Sequence, residues 1–285
     1  MLTALTVKKH ERRKGIKGLA DRFRRDRAVV KIKRARGVYL KHITYISYGR
    51  KPRFGKLEKI IGDSKSRIIC SPKIKFESDS KFKRFENSDF SARLCTNLAI
   101  CLLSMCDFTE KLKIGIYDLD GRESEFLPYV MKYSSDVTVV TDCPDVYYDE
   151  NELVMENMGA CSVVTKRTEE LEHCHLIIAP HTIEKTFSSN ENTLILTNGR
   201  PKAELTGEVY YKYYFKMPNG FDRIKPQELE TEYFCSALYS LGRQYSLGSI
   251  VPTMCSNFSA TQTVKSLYAM FESLYKNSAK SADEN

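Results

Sequence analysis

Four carboxylates fall within eight residues of the segment IYDLDGRESEF (116–126): Asp118, Asp120, Glu123 and Glu125, with Arg122 as the only cation among them. Paired carboxylates on a tight turn can accept hydrogen bonds from a ligand, move a proton or attack an electrophile. Asp142 follows Asp118 by 24 residues and stands where an acid can hold ribose hydroxyls. His181 and Asn198 each come just after a short apolar run. An imidazole titrates near neutrality and suits acid–base work, and an amide both donates and accepts. His173 and His175 share a face of an extended segment, but no further ligands at metal-site spacing accompany them, so no metal site is assigned.

These residues need elements to place them. Short apolar runs at Ile114–Tyr117, Val137–Thr141, Cys161–Thr165, Leu176–Ala179 and Thr193–Thr197 predict strands. Helix-compatible stretches between them, Ser124–Tyr133 and Glu152–Met158 with Gly159 as a stop, predict a parallel sheet covered on both faces. In such a sheet ligands bind outside the carboxyl ends of the strands, near the switch in strand order. That rule selects Asp118, Asp142, His181 and Asn198 as ligand-binding candidates, with Asp118, Asp120 and His181 as the catalytic ones.

The segments KIGIYD (113–118), DVTVVTD (136–142), CSVVT (161–165) and HLIIAP (175–180) resemble the Rossmann-like superfamily, over about residues 111–200. The resemblance implies an α/β fold and a nucleotide-type ligand. It stops short of the dinucleotide fingerprint, because the first loop holds only Gly121 where GxGxxG would let the backbone approach a pyrophosphate. The acidic loop repels phosphate and disfavours an NAD-type cofactor. Asp118-Leu119-Asp120-Gly121 also resembles the opening motif of haloacid-dehalogenase-like phosphatases. This implies a Mg-dependent phosphoryl transfer with Asp118 as nucleophile, Asp120 as general acid and Thr141 in the hydroxyl position. Arg122 departs from that family's usual threonine, and Ala179-Pro180-His181 offers no acidic pair to complete its metal site.

The rest of the chain differs in charge. The net charge of +9 divides into +18 over residues 1–90 and −9 over residues 91–285. The basic part suggests an anionic partner, nucleic acid among them, met through Arg22, Arg24, Arg25, Lys31, Lys33, Arg34 and Arg36. Residues 1–36 read as a basic arm or helix, and 37–108 as a β-rich domain of short antiparallel strands, Ile60-Ile61 among them, ending in a helix capped near Asn87-Ser88-Asp89. The α/β domain spans 109–200. One further strand at Glu208–Lys216, a helix opened by Pro226 and ended at Gly242, and a last helix to about 276 are expected to pack on it, leaving 277–285 as a flexible tail. The longest apolar run, Leu94–Met105, is shorter than the roughly 20 residues of a membrane span. Nine cysteines without a CxxC spacing fit reduced thiols and a cytoplasmic address. The functional expectation is a Rossmann-like protein that binds a small ligand at the carboxyl edge of its sheet. No particular reaction is specified.

Overall fold

The computed structural model describes residues 2–10, 14–15, 24–48, 57, 60–61, 67–76, 82–108, 111–241 and 247–283, with side chains to 280. Arg22, Gly49-Arg50 and Gly242 lie outside the described residues. Two compact units emerge: Met1–Asn87 with Met217–Leu247, and Ser88–Lys216 with Gly248–Asn285.

The first unit is built on a five-stranded sheet. Its strands are β1 (Leu2–Lys9), β2 (Arg27–Ala35), β3 (Val38–Ser47), β4 (Arg67–Cys70) and β5 (Lys83–Arg84), in the order β2-β3-β1-β4-β5. Only the β2–β3 hairpin is antiparallel; β1 runs parallel to both β3 and β4, and β4 parallel to β5. The segment expected as a basic arm or helix therefore begins as an interior strand. The cause is LTALT, whose five residues are all buried, while the basic residues start only at Lys8. Ile60 and Ile61, expected in a strand, carry helical backbone together with Leu57. Leu57 and Ile61 pack with Leu5, Ile43, Tyr45 and Ile68 in a core under the sheet. The hairpin turn uses Arg36 and Gly37, both at positive φ, which suits glycine and is uncommon for arginine.

Helix α1 (Asp89–Leu103) opens the second unit. Its six-stranded sheet holds β6 (Ile114–Tyr117), β7 (Val137–Val140), β8 (Val163–Thr165), β9 (Leu176–Ala179), β10 (Leu194–Thr197) and β11 (Glu208–Tyr210). All pairs are parallel and the order is β11-β10-β9-β6-β7-β8. Numbered from its own first strand, the order is 3-2-1-4-5-6, that of the Rossmann-type doubly wound sheet. The strands β6, β9 and β10 are buried along their whole length, which explains their near-continuous apolar sequences.

Helices α2 (Leu127–Met131) and α3 (Pro144–Met158) cross between β6, β7 and β8. Pro128 sits in the first turn of α2, and Gly159 closes α3 at φ 67. No helix lies between β9 and β10 or between β10 and β11. Instead α1 packs against β9 and β10.

The sequence expectation of a single strand over Glu208–Lys216 is corrected. The chain breaks at Tyr211, and β12 (Lys212–Tyr214) joins β13 (Met254–Ser256) and β14 (Thr261–Thr263) in a separate antiparallel sheet. Helix α4 (Thr231–Tyr239) belongs to the first unit and not to the α/β unit, with the Tyr233 hydroxyl donating to Phe85 O at 2.9 Å. Helix α5 (Val264–Asp283) runs through most of the segment expected as a tail. No helix among the described residues is long and apolar enough to cross a membrane. All nine cysteines are free.

Candidate functional site

The switch in strand order falls between β6 and β9, so the loops leaving these two strands diverge and open the sheet at its carboxyl edge. Asp118 leaves β6 and His181 leaves β9.

Asp118 is buried, and its two oxygens have different surroundings. Oδ2 accepts the Tyr147 hydroxyl at 2.9 Å and the Glu123 backbone N–H at 2.9 Å. Oδ1 is buried without a hydrogen-bond partner. Tyr147 comes from the first turn of α3 and is fully buried, so this bond ties the helix to the end of β6. Burial, with the neighbouring Asp118 charge, pushes the Tyr147 hydroxyl well above its usual range and keeps it a donor. The turn itself is closed by Gly121 N–H to Asp118 O at 3.2 Å. Gly121 stands at φ +66, and a Cβ there would lie 2.7 Å from Val146 Cγ2. The one glycine of this loop therefore shapes a carboxylate turn.

Glu123 turns back toward the sheet. Its Oε1 lies 4.0 Å from His181 Nε2, and both side chains are mostly covered. Burial raises the Glu123 carboxyl to about 7; Asp118 and Asp89 push the same way, and Arg93 and Arg122 oppose them. Burial lowers His181, Arg122 adds to the effect, and Asp118, Asp120 and Asp89 resist it. Burial thus favours the neutral form of both partners, and Glu123 exchanges its proton near neutral pH. His181 Nε2 is a second buried polar atom without a hydrogen-bond partner. Leaving such an atom unpaired costs about 1–3 kcal/mol, so two of them at one switch point call for an explanation.

The other sequence candidates flank this centre. Asp120 is exposed and ion-paired with Arg122. Thr141 Oγ1 and Asp142 N–H both donate to Leu119 O, at 3.5 and 3.1 Å, which stitches the loop after β7 to the loop after β6. The Asp142 carboxylate itself is exposed. Asn198 O accepts the Thr182 hydroxyl at 2.6 Å and Thr197 Oγ1 donates to His181 O at 3.0 Å, joining the loops after β9 and β10. The structure thus brings Asp118 and His181 together and places Asp142 and Asn198 to either side. Glu123 and Tyr147 are the residues that reading for single candidates missed. Glu123 was one of four carboxylates without a distinguishing signal, and Tyr147 carries its role through a contact 29 residues away in sequence.

The phosphatase arrangement does not form. Asp118 Oδ2 is taken by structural bonds and Asp120 turns to Arg122. Among the described residues no group of three or more His, Cys, Asp or Glu side chains converges to hold a metal ion.

A groove of about 420 Å³ lies at the opposite, amino edge of the sheet, lined by Lys111, Lys113, His173, His175, Asn192 and Tyr275 among others. Its inner polar atoms are occupied. His175 Nδ1 accepts the Lys113 backbone N–H at 3.0 Å, and Thr193 Oγ1 donates to Cys174 O at 2.8 Å. Within the α/β unit, the buried polar atoms without a hydrogen-bond partner lie at the carboxyl edge.

The basic candidates among the described residues lie in and around β2. Arg24 and Arg25 precede β2 and are exposed. Lys31 and Lys33 share one face of β2, Arg34 stands over the Tyr39 ring on the other at 5.1 Å, and Arg36 stands over Phe221 at 5.7 Å.

Comparison with known proteins adds little. No protein-family model matches the chain, and no curated protein does either. Among solved structures, the L-tryptophan dehydrogenase from Nostoc punctiforme is similar at 9% identity over 84% of this chain and 77% of its own, with a TM-score of 0.31. The Rossmann-like assignment of the α/β unit rests on its strand order.

Proposed function

We propose that the α/β unit binds a small, nucleotide-type ligand at the carboxyl edge of its sheet, between the loops that follow β6 and β9. The observation that carries this is the pair of buried, unpartnered polar atoms at the switch point, Asp118 Oδ1 and His181 Nε2. A ligand that offers hydrogen-bond donors to Asp118, such as ribose hydroxyls or an exocyclic amine, meets the first need directly. The chemistry of the loop speaks against a pyrophosphate cradle. Gly121 supports a turn around Asp118, where an added Cβ would meet Val146 and Cys143, in place of a glycine-rich approach to phosphate. A nucleoside or a similar small polyol therefore fits better than a dinucleotide. Glu123 can hold or release a proton near neutral pH, so the site has acid–base capacity beside its binding groups.

The test is native mass spectrometry of the full-length protein, followed by titration with nucleosides, mononucleotides and NAD. Saturable binding that Asp118→Asn and His181→Ala each weaken at least tenfold, with the folded state retained, supports the reading. Absence of saturable binding by every one of these compounds removes it, as does binding that both variants leave unchanged.

A further inference from the structure

Two exposed faces of the chain combine apolar side chains with opposite charge. The first is the sheet edge formed by β2. This strand has nine residues, RAVVKIKRA, with four bases and no acid. Its side chains alternate between faces, so Val30, Ile32 and Arg34 line up with Tyr39 of the paired strand. Val30 and Tyr39 are exposed, and Ile32 is 68% exposed. Arg27, Lys31 and Lys33 occupy the other side, and none has an ion-pair partner among the described residues. A long edge strand with exposed apolar side chains is a surface that proteins ordinarily cover or blunt.

The second face is helix α3 with the short edge strand β8. Only Tyr147 and Val154 of α3 are buried. At about 100° per residue Tyr148 and Met155 share a stripe, with Asp145, Glu152 and Glu156 along one flank and Met158 on the other. Tyr148, Met155 and Met158 are exposed, and Val163 of β8 is 60% exposed. Asn151 fixes β8 to the helix by accepting Ser162 N–H at 2.8 Å. The helix holds five acids and no base. Crowding shows in Glu150, whose carboxyl is raised by burial and by Glu125 and Asp149.

We infer that these faces bind each other between copies of the chain, the basic β2 edge of one copy meeting the acidic α3–β8 face of the next. Each supplies apolar contact and the charge the other lacks. Pairing of β2 with its own copy is disfavoured, because an antiparallel pair centred on the strand sets Lys31 against Lys31. Single-stranded nucleic acid is a weaker occupant of β2. It would stack on exposed aromatic rings, and Tyr39 already carries the Arg34 guanidinium. Contact between two different faces is heterologous, so it propagates into a ring or a filament rather than stopping at a dimer.

Two variants of the full chain test this: Ile32→Glu with Arg34→Glu, and Met155→Lys with Glu152→Lys. All four residues are exposed, and circular dichroism checks that both variants fold. Sedimentation equilibrium of the wild type should show mass rising with concentration in 50 mM salt, and association at least tenfold weaker in 500 mM salt. Each variant alone should remain monomeric. Their equimolar mixture should form a dimer and nothing larger, because each copy retains one intact face. The inference is overturned by a wild type that stays monomeric up to millimolar concentration. It is overturned equally by a variant that associates like the wild type, or by a mixture that remains monomeric. A monomeric protein that binds a labelled single-stranded oligonucleotide, and loses it in the β2 variant, would assign the edge to nucleic acid instead.

Discussion

The two edges of the parallel sheet in the α/β unit carry similar residues in opposite condition. At the amino edge His175 has its Nδ1 satisfied by the Lys113 backbone and its ring edge against Tyr275, with centroids 5.0 Å apart. At the carboxyl edge His181 and Asp118 each keep a buried polar atom without a partner. The amino edge holds a groove whose inner polar groups are bonded, whereas the carboxyl edge keeps two buried polar atoms that are not. The accounting of hydrogen bonds therefore distinguishes the two edges.

Mutations sharpen this contrast, beginning with Asp118. Replacement by leucine strands the Tyr147 hydroxyl and the Glu123 N–H, and should lower the stability measured by urea denaturation by about 3 kcal/mol. A loss below about 1 kcal/mol would show that the bond from α3 to β6 matters little.

The pH response comes next. A Glu123 carboxyl held at about 7 in the folded protein lies above its unfolded value of 4.5, so its effect runs against stability as pH rises between those values. Glu123→Gln should therefore equal the wild type near pH 4 and exceed it by on the order of 2 kcal/mol at pH 8. His181 and His175 are both lowered by burial, so each contributes stability above the ordinary histidine range that is lost as pH falls. Falling pH should thus weaken both edges through their histidines, while the loss between about pH 5 and 8 that Glu123 brings belongs to the carboxyl edge. Denaturation curves of Glu123→Gln that parallel the wild type at every pH would erase that difference.

Gly121→Ala forces a side chain onto φ +66 and against Val146, and should cost about 1–2 kcal/mol in the same denaturation measurement. The smallest effect belongs to the amino edge. Lys113→Ala should change stability by less than about 0.5 kcal/mol and leave ligand binding at the carboxyl edge untouched in the titration. A tenfold loss of binding there would move the site to the groove.

The sequence made the α/β unit legible because its central strands are buried on both faces and so read as unbroken apolar runs, such as LIIA at 176–179. Once the strands are placed, the carboxyl-end rule puts Asp118 and His181 in the loops beside the switch point, with Asp142 and Asn198 in the neighbouring ones. Glu123 escapes it, because its return toward His181 depends on a turn whose geometry no residue pattern encodes. Tyr147 escapes because α3 buries only two side chains, too few to mark a face. The first unit was harder to read. LTALT is short and followed at once by bases, and its parallel pairing with β3 joins segments 38 residues apart. Nothing local to TEYFCSALY says that α4 belongs with residues 1–87. The break at Tyr211 is equally silent, since aromatic and β-branched residues continue through it.

Asp118 divides its work between two oxygens, and that division has a kinetic consequence. Oδ2 is committed to the fold, so a ligand that takes Oδ1 displaces no structural bond. Oδ1 is sealed from solvent all the same, as is His181 Nε2. A ligand therefore reaches either atom only after the cover over them opens. Binding in a stopped-flow experiment should then level off at high ligand concentration, at the rate of that opening, rather than climb in proportion to the ligand supplied.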